Sequence, residues 1–230
     1  MKPDRIILVR HGESAGNVNK EIYKTIPDYA LDLTEKGIIQ AKQAGRELHK
    51  LITNIPVQYY ISPFWRTRRT FEYIYENFNY FKDVDKIYED PRIREQEWGH
   101  LRDDLDLVNK MQEYRDNYGH FYYRFNDGES CADVYDRVSD FMNTMFRDFE
   151  KRDYPRNVII VTHGMTIRLF LMRWFHVSVE EFESWANPKN CEKFILERNQ
   201  LDDKYTLTSH SEMRKHNLIH PFQYIWLKNS

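Results

Sequence analysis

The chain has 230 residues, 41% hydrophobic and 30% charged, with a formal net charge of −2. That balance suits one soluble α/β domain with a sizeable core and excludes an extended disordered chain. It also excludes the whole-surface basic footprint of a nucleic-acid binder, so any anion site has to be built locally.

Residues 5–9 form a continuous apolar, β-branched run, the pattern of a strand covered on both faces, and it stops at Arg10-His11-Gly12. Thr34 precedes apolar residues at three- and four-residue steps, Ile38, Ala41, Ala44, Leu48 and Leu51, which predicts an amphipathic helix. A second buried strand is expected over 57–61, followed by Ser62-Pro63, a pair suited to starting a helix with serine as N-cap and proline first. That start puts Arg66 about one turn into the helix. A third strand is expected over 86–89, and the polar, aromatic-rich segment 101–125 predicts mainly helix. Ser130 with Asp133 makes a near-capping box, and Val134, Val138, Phe141 and Met145 mark the buried face of the helix it opens. A strand over 158–161 ends at Thr162-His163-Gly164, a helix over 165–175 follows, and 193–196 and 205–208 predict further strands. Strands alternating with helices imply an α/β fold with a mainly parallel sheet covered on both faces, an αβα sandwich in three layers.

Cys131 and Cys191 are too few for a disulfide framework and form no metal-ligand cluster. No apolar run reaches membrane-spanning length, the longest lying around residues 169–175, and no basic and apolar leader precedes the first strand. A cytoplasmic protein without membrane or nucleic-acid partners is therefore expected.

The phrases ILVRHG and IIVTHG, some 150 residues apart, each end a buried strand on His-Gly. In parallel α/β sheets ligands bind beyond the carboxyl ends of the strands, where loops and helix N-termini converge. If the two strands are neighbours, His11 and His163 stand together at that edge, and Gly12 and Gly164 let the backbone turn tightly beneath a ligand. Arg10 and Arg66 belong to the same edge. Two guanidiniums and two imidazoles suit a tetrahedral oxyanion, because arginine offers paired donors to phosphate oxygens. Each histidine alone would more simply be a satisfied strand-end residue; the other seven, His49 and His120 among them, are read as surface or structural.

LVRHGES resembles the signature of the histidine phosphatase superfamily, in its phosphoglycerate-mutase-like branch. LTEKGIIQAKQAG is similar to that family's first helix, SPFWRTRRT fits its Ser-Pro-x-x-Arg pattern, and IREQEWG, DGESCADVYDR and VTHGMTIR follow in the family's order. IPDYALDLTEKG, RIREQEWG and FYYRFNDGES further resemble a plant and fungal subgroup of phosphoglycerate-mutase-like phosphatases. The resemblance implies a single domain over 1–230, with a helical or loop cap over the carboxyl edge from an insertion at about 91–128.

It also implies a mechanism. His11 would attack the phosphorus of a small phosphorylated substrate and carry a phosphohistidine. Arg10, Arg66, His163 and Asn17 would hold the non-bridging oxygens, with Gly164 at the second histidine motif. Glu95 matches the acid that protonates the leaving oxygen, with Glu97 two residues away as the alternative. No metal or cofactor is expected, since arginine takes the charge-neutralising role and the histidines lack a third clustered ligand in the sequence.

Tyr23, Trp98, Arg102 and Arg124 are candidate walls for the leaving group, against the simpler reading that such aromatics pack a satellite core. Phosphoglycerate mutases carry an aromatic where this chain has Gly16, and a Phe-x-Gly-Trp stretch where it has 23–27; segment 100–127 holds four basic and six acidic residues rather than an anion trap. A phosphatase is expected. A mutase is the alternative, and a non-catalytic phosphate-ester-binding scaffold the third reading.

Overall fold

A computed structural model describes residues 2–52, 55–78, 86–99 and 105–208. The apolar runs become the strands β1 (Arg5–Arg10), β2 (Val57–Ile61), β3 (Lys86–Glu89), β4 (Asn157–Thr162), β5 (Lys193–Arg198) and β6 (Tyr205–Leu207) of one sheet, in the order β3-β2-β4-β1-β5-β6. The first four are mutually parallel, whereas β5 runs antiparallel to β1 and β6 antiparallel to β5. β1 and β4 are direct neighbours, with Arg10 opposite Thr162 at the carboxyl edge.

The helices are α1 (Ala15–Val18), α2 (Glu35–Leu51), α3 (Trp65–Tyr75), α4 (Leu105–Tyr118), α5 (Cys131–Phe149), α6 (Gly164–Phe175) and α7 (Val179–Glu183). Alternate strand residues feed two cores. Ile6, Leu8, Val158 and Ile160 pack under α5 and α6, with Val134, Val138, Phe141 and Met145 all buried. Ile7, Val9, Tyr59, Ile159 and Val161 pack under α2 and α3, against Ala41, Ala44, Leu48 and Ile74. This is the expected three-layer α/β arrangement. No described helix is long and apolar enough to cross a membrane.

Helix starts follow the side chains available. Thr34 Oγ1 accepts from the Gly37 amide at 3.1 Å, and Ser130 with Asp133 completes a capping box in both directions. The start expected at Ser62-Pro63 is different: α3 begins at Trp65 with Phe64 as N-cap. The Ser62 hydroxyl has another partner, His163. Glycine governs one junction. A Cβ on Gly12 would lie 2.6 Å from the Gly37 carbonyl oxygen, and one on Gly37 would lie 2.0 Å from the Glu13 carbonyl oxygen, so the loop after β1 is seated directly on the first turn of α2.

Candidate active site

The parallel ladder delivers both histidines to one place. His11 and His163 are buried, with ring centroids 5.3 Å apart in an edge-to-face arrangement. Beside them opens a cavity of about 350 Å³ whose walls include Arg10, His11, Asn17, Arg66 and Glu95.

The hydrogen bonds assign the ring nitrogens. His11 Nδ1 lies 2.7 Å from the Gly12 carbonyl oxygen, which can only accept, so Nδ1 carries the proton and Nε2 keeps its lone pair. Burial, with Arg66 and Arg10 alongside, holds the His11 pKa well below its ordinary value, so the ring is neutral. His163 Nε2 is 2.7 Å from Ser62 Oγ, and its Nδ1 lies 3.8 Å from Glu95 Oε2. Burial and the same arginines depress its pKa as well.

The cations are held differently. Arg66 is fixed by Asp28, at 2.7 Å to its carbonyl oxygen and 3.0 Å to Oδ1, in an ion pair whose side chains are 4% and 6% exposed. Removing one partner of such a pair leaves an uncompensated buried charge. Arg10 donates to the Pro188 carbonyl, and its Nε is buried without a hydrogen-bond partner among the described residues. Asn17 takes hydrogen bonds at Oδ1 from the Ser14 amide and from Asn190, which leaves its amide nitrogen as the group to offer a ligand.

Glu95 and Glu97 separate clearly. Glu95 lines the cavity, and burial raises its pKa above the ordinary carboxylate range. Glu97 is not among the lining residues; its Oε1 accepts from the Gly99 amide. The segment carrying Glu95 is clamped from two helices and one strand. Arg137 on α5 donates to the Arg92, Arg94 and Glu95 carbonyls and pairs with Glu129, while Thr162 Oγ1 donates to Ile93 and Thr166 Oγ1 to Arg94.

His11, Glu95 and His163 bring one donor atom each within 4.8 Å of one another, so the two histidines do gain the third neighbour missing from the linear sequence. That set has the form of a three-donor metal site. The adjoining Arg10 and Arg66, whose charges depress both imidazoles, favour an anion there over a cation.

Of the expected pocket residues, Tyr23 and Trp98 line the cavity. Arg124 is not among the lining residues: it is exposed and pairs with Asp133 and the Gly128 carbonyl. Arg102 lies outside the described residues. Gly164 opens α6, and a Cβ there would come within 2.4 Å of Asn187 Oδ1. Tyr23 explains the departure at Gly16: a Cβ on Gly16 would sit 2.5 Å from the Tyr23 hydroxyl, so the tyrosine already occupies the space an aromatic at 16 would need. The sequence pattern did not single out Asp28, Arg115 or Arg168, and His120, expected to be surface or structural, lines the cavity with them.

The fold is that of an α/β protein with two imidazoles and two guanidiniums gathered at the carboxyl edge of its parallel strands, and comparison with known proteins narrows it. The histidine phosphatase superfamily (branch 1) profile matches residues 6–210, and the chain belongs to that family. It is 42% identical over 220 residues to phosphoglycerate mutase-like protein AT74 of Arabidopsis thaliana, covering 90% of this chain and 69% of that one. It is 30% identical over 300 residues to the broad-range acid phosphatase DET1 of Saccharomyces cerevisiae, covering 90% and 89%. Among solved structures, Bacillus stearothermophilus YhfR superposes with a TM-score of 0.69 at 22% identity, covering 90% of this chain and 96% of that one, which is a likeness of fold.

Proposed function

We propose that this protein is a phosphomonoester hydrolase acting through a phosphohistidine on His11. One observation carries the reading: the Gly12 carbonyl fixes the His11 proton on Nδ1, leaving a neutral Nε2 nucleophile in a cavity walled by two arginines. Nε2 attacks phosphorus and the bond to the substrate oxygen breaks. Arg10, Arg66, His163 and the Asn17 amide meet the non-bridging oxygens, where the transition state carries its charge. Glu95, whose pKa burial raises, gives its proton to the departing oxygen and then takes one from the water that cleaves the phosphohistidine. Trp98, Val108 and Arg115, from the described part of the insertion at about 91–128, stand in the cavity wall and serve as the cap.

The acid phosphatase among the relatives supports hydrolysis, as does Tyr23 filling the space beside Gly16. The test is turnover of an aryl phosphate such as p-nitrophenyl phosphate without added metal, alongside interconversion of phosphoglycerates with a bisphosphoglycerate primer. Hydrolysis that disappears in His11→Ala supports the reading. Primer-dependent interconversion outpacing hydrolysis would replace it with the mutase, and neither reaction would leave a phosphate-ester-binding scaffold.

A further inference from the structure

The tautomer of His11 depends on a single carbonyl, and a glycine carries it. Gly12 supplies the oxygen that lies 2.7 Å from Nδ1, and backbone sterics at a glycine do little to fix which way its carbonyl points. A side chain at position 12 cannot do the fixing, because its Cβ would meet the Gly37 carbonyl oxygen at 2.6 Å. The hold has to come from neighbouring elements.

Two helices supply it. The amide of Glu13 belongs to the same peptide group as the Gly12 carbonyl, and it donates to Gln40 Oε1 on α2 at 2.8 Å. Only the oxygen end of the Gln40 amide can accept from an N–H, so its orientation is settled by this bond. The described peptide bonds are all trans, so the Glu13 amide and the Gly12 carbonyl point in opposite directions. Gln40 Oε1, the Glu13 N–H, the Gly12 carbonyl and the His11 Nδ1–H therefore form one line of alternating acceptors and donors. On the near side, the Gly12 amide donates to Thr70 Oγ1 on α3 at 3.0 Å, and the buried Thr70 hydroxyl donates to the Arg66 carbonyl at 2.7 Å. The Glu13 carboxylate accepts from Thr34 Oγ1 and Lys36 Nζ.

We propose that Gln40 is a positioning residue for the nucleophile: by accepting from the Glu13 amide it holds the Gly12 carbonyl on His11 Nδ1 and so keeps the proton off Nε2. The bond acts in two ways. It opposes rotation of the Gly12–Glu13 peptide group, and it polarises that group so that the carbonyl oxygen accepts more strongly. Without it the Glu13 amide loses its acceptor and the peptide group is free to turn its carbonyl away from the ring. The proton then redistributes between the two ring nitrogens, and a neutral ring protonated on Nε2 has no lone pair there to offer phosphorus. The inference rests on the phosphomonoesterase reading for the use made of Nε2, though not for the tautomer itself.

The test pairs Gln40→Met, which keeps the length of the side chain without its acceptor, with Gln40→Glu, which keeps an acceptor oxygen. Nitrogen NMR of the His11 ring in isotope-labelled protein reports which nitrogen carries the proton, and kcat and KM are measured with p-nitrophenyl phosphate. The wild-type chain and Gln40→Glu should show the proton on Nδ1, and Gln40→Met a mixture in which Nε2 is also protonated. In Gln40→Met kcat should fall about tenfold with KM within about twofold, and Gln40→Glu should recover most of that loss. An unchanged tautomer in Gln40→Met overturns the positioning role. So does a changed tautomer with kcat intact, or a fall in kcat that Gln40→Glu does not relieve. A wild-type chain that hydrolyses no phosphomonoester removes the phosphatase reading, and the ring spectrum then decides alone: a proton displaced from Nδ1 in Gln40→Met upholds the hold on the ring, and a spectrum indifferent to the variant removes it. Should Gln40→Met fail to fold, Gln40→Ala, a strong helix former on α2, carries the same comparison.

Discussion

β1 and β4 end in almost the same words, and the two ends do different work. Their last residues, Arg10 and Thr162, face each other across the ladder. Arg10 lines the cavity with a guanidinium, while Thr162 turns its hydroxyl to the Ile93 carbonyl and helps hold the segment that carries Glu95. The next residues differ in the same way. His11 is tied to its own loop through Nδ1, and His163 is tied to Ser62 through Nε2. A backbone framework can repeat while its hydrogen-bonding partners decide which imbalance of donor and lone pair is presented to a ligand. The role of each histidine is therefore set by the neighbour that fixes its proton.

The sharpest way to break that asymmetry is to remove one histidine at a time. His11→Ala should reduce aryl phosphate hydrolysis to background, and acid-quenched wild-type enzyme should retain a phosphoryl group that the variant lacks. Glu95→Gln keeps a neutral side chain but cannot cycle a proton, and should lower kcat by about 10²–10⁴-fold. The pH profile follows from the two opposed shifts. His11 must be neutral and, with its pKa depressed, stays so well into acid. Glu95 must be protonated and, with its pKa raised, stays so above the usual carboxylate range. Activity is therefore expected to peak on the acid side of neutral and to fall as pH rises through the Glu95 pKa; a rate still climbing above roughly pH 8 would contradict Glu95 as the acid.

On the proposed mechanism His163→Ala removes a donor to the phosphoryl oxygens but leaves the nucleophile, and should cost about 10²–10³ in kcat. A phosphohistidine still detectable in that variant would confirm the division of labour between the two strand ends. Thr162→Val should have the smallest effect. It deletes one buried hydrogen bond of about 1 kcal/mol, so kcat should fall by no more than about tenfold with little change in KM. A larger rise in KM would mean that Thr162 serves binding directly.

The strands and both histidines were legible because continuous apolar runs that stop at charged or polar residues report a buried strand and its end in a few letters. The capping box of Ser130 with Asp133 was legible for a similar reason, since a cap is a local bond. What escaped were pairings between residues distant in sequence. Asp28 gives no sign that it will hold Arg66, which stands on a helix after the next strand. Ser62 looked like a cap because its local context with Pro63 suits one, and tertiary contact with His163 claimed its hydroxyl. Counting charges over 100–127 did not single out Arg115 and His120 in the cavity wall, because Arg168, which joins them there, arrives on α6.

The Arg10–Thr162 register has a kinetic corollary. The two imidazoles are brought together by a parallel pairing between segments about 150 residues apart, a contact whose loop-closure entropy makes it slow to form. A collapsed chain with its helices in place but β1 and β4 unpaired contains every residue of the candidate site and no assembled site. In refolding experiments, regain of turnover should thus lag behind the return of helical circular dichroism, and the delay becomes a clock for closure of the central sheet.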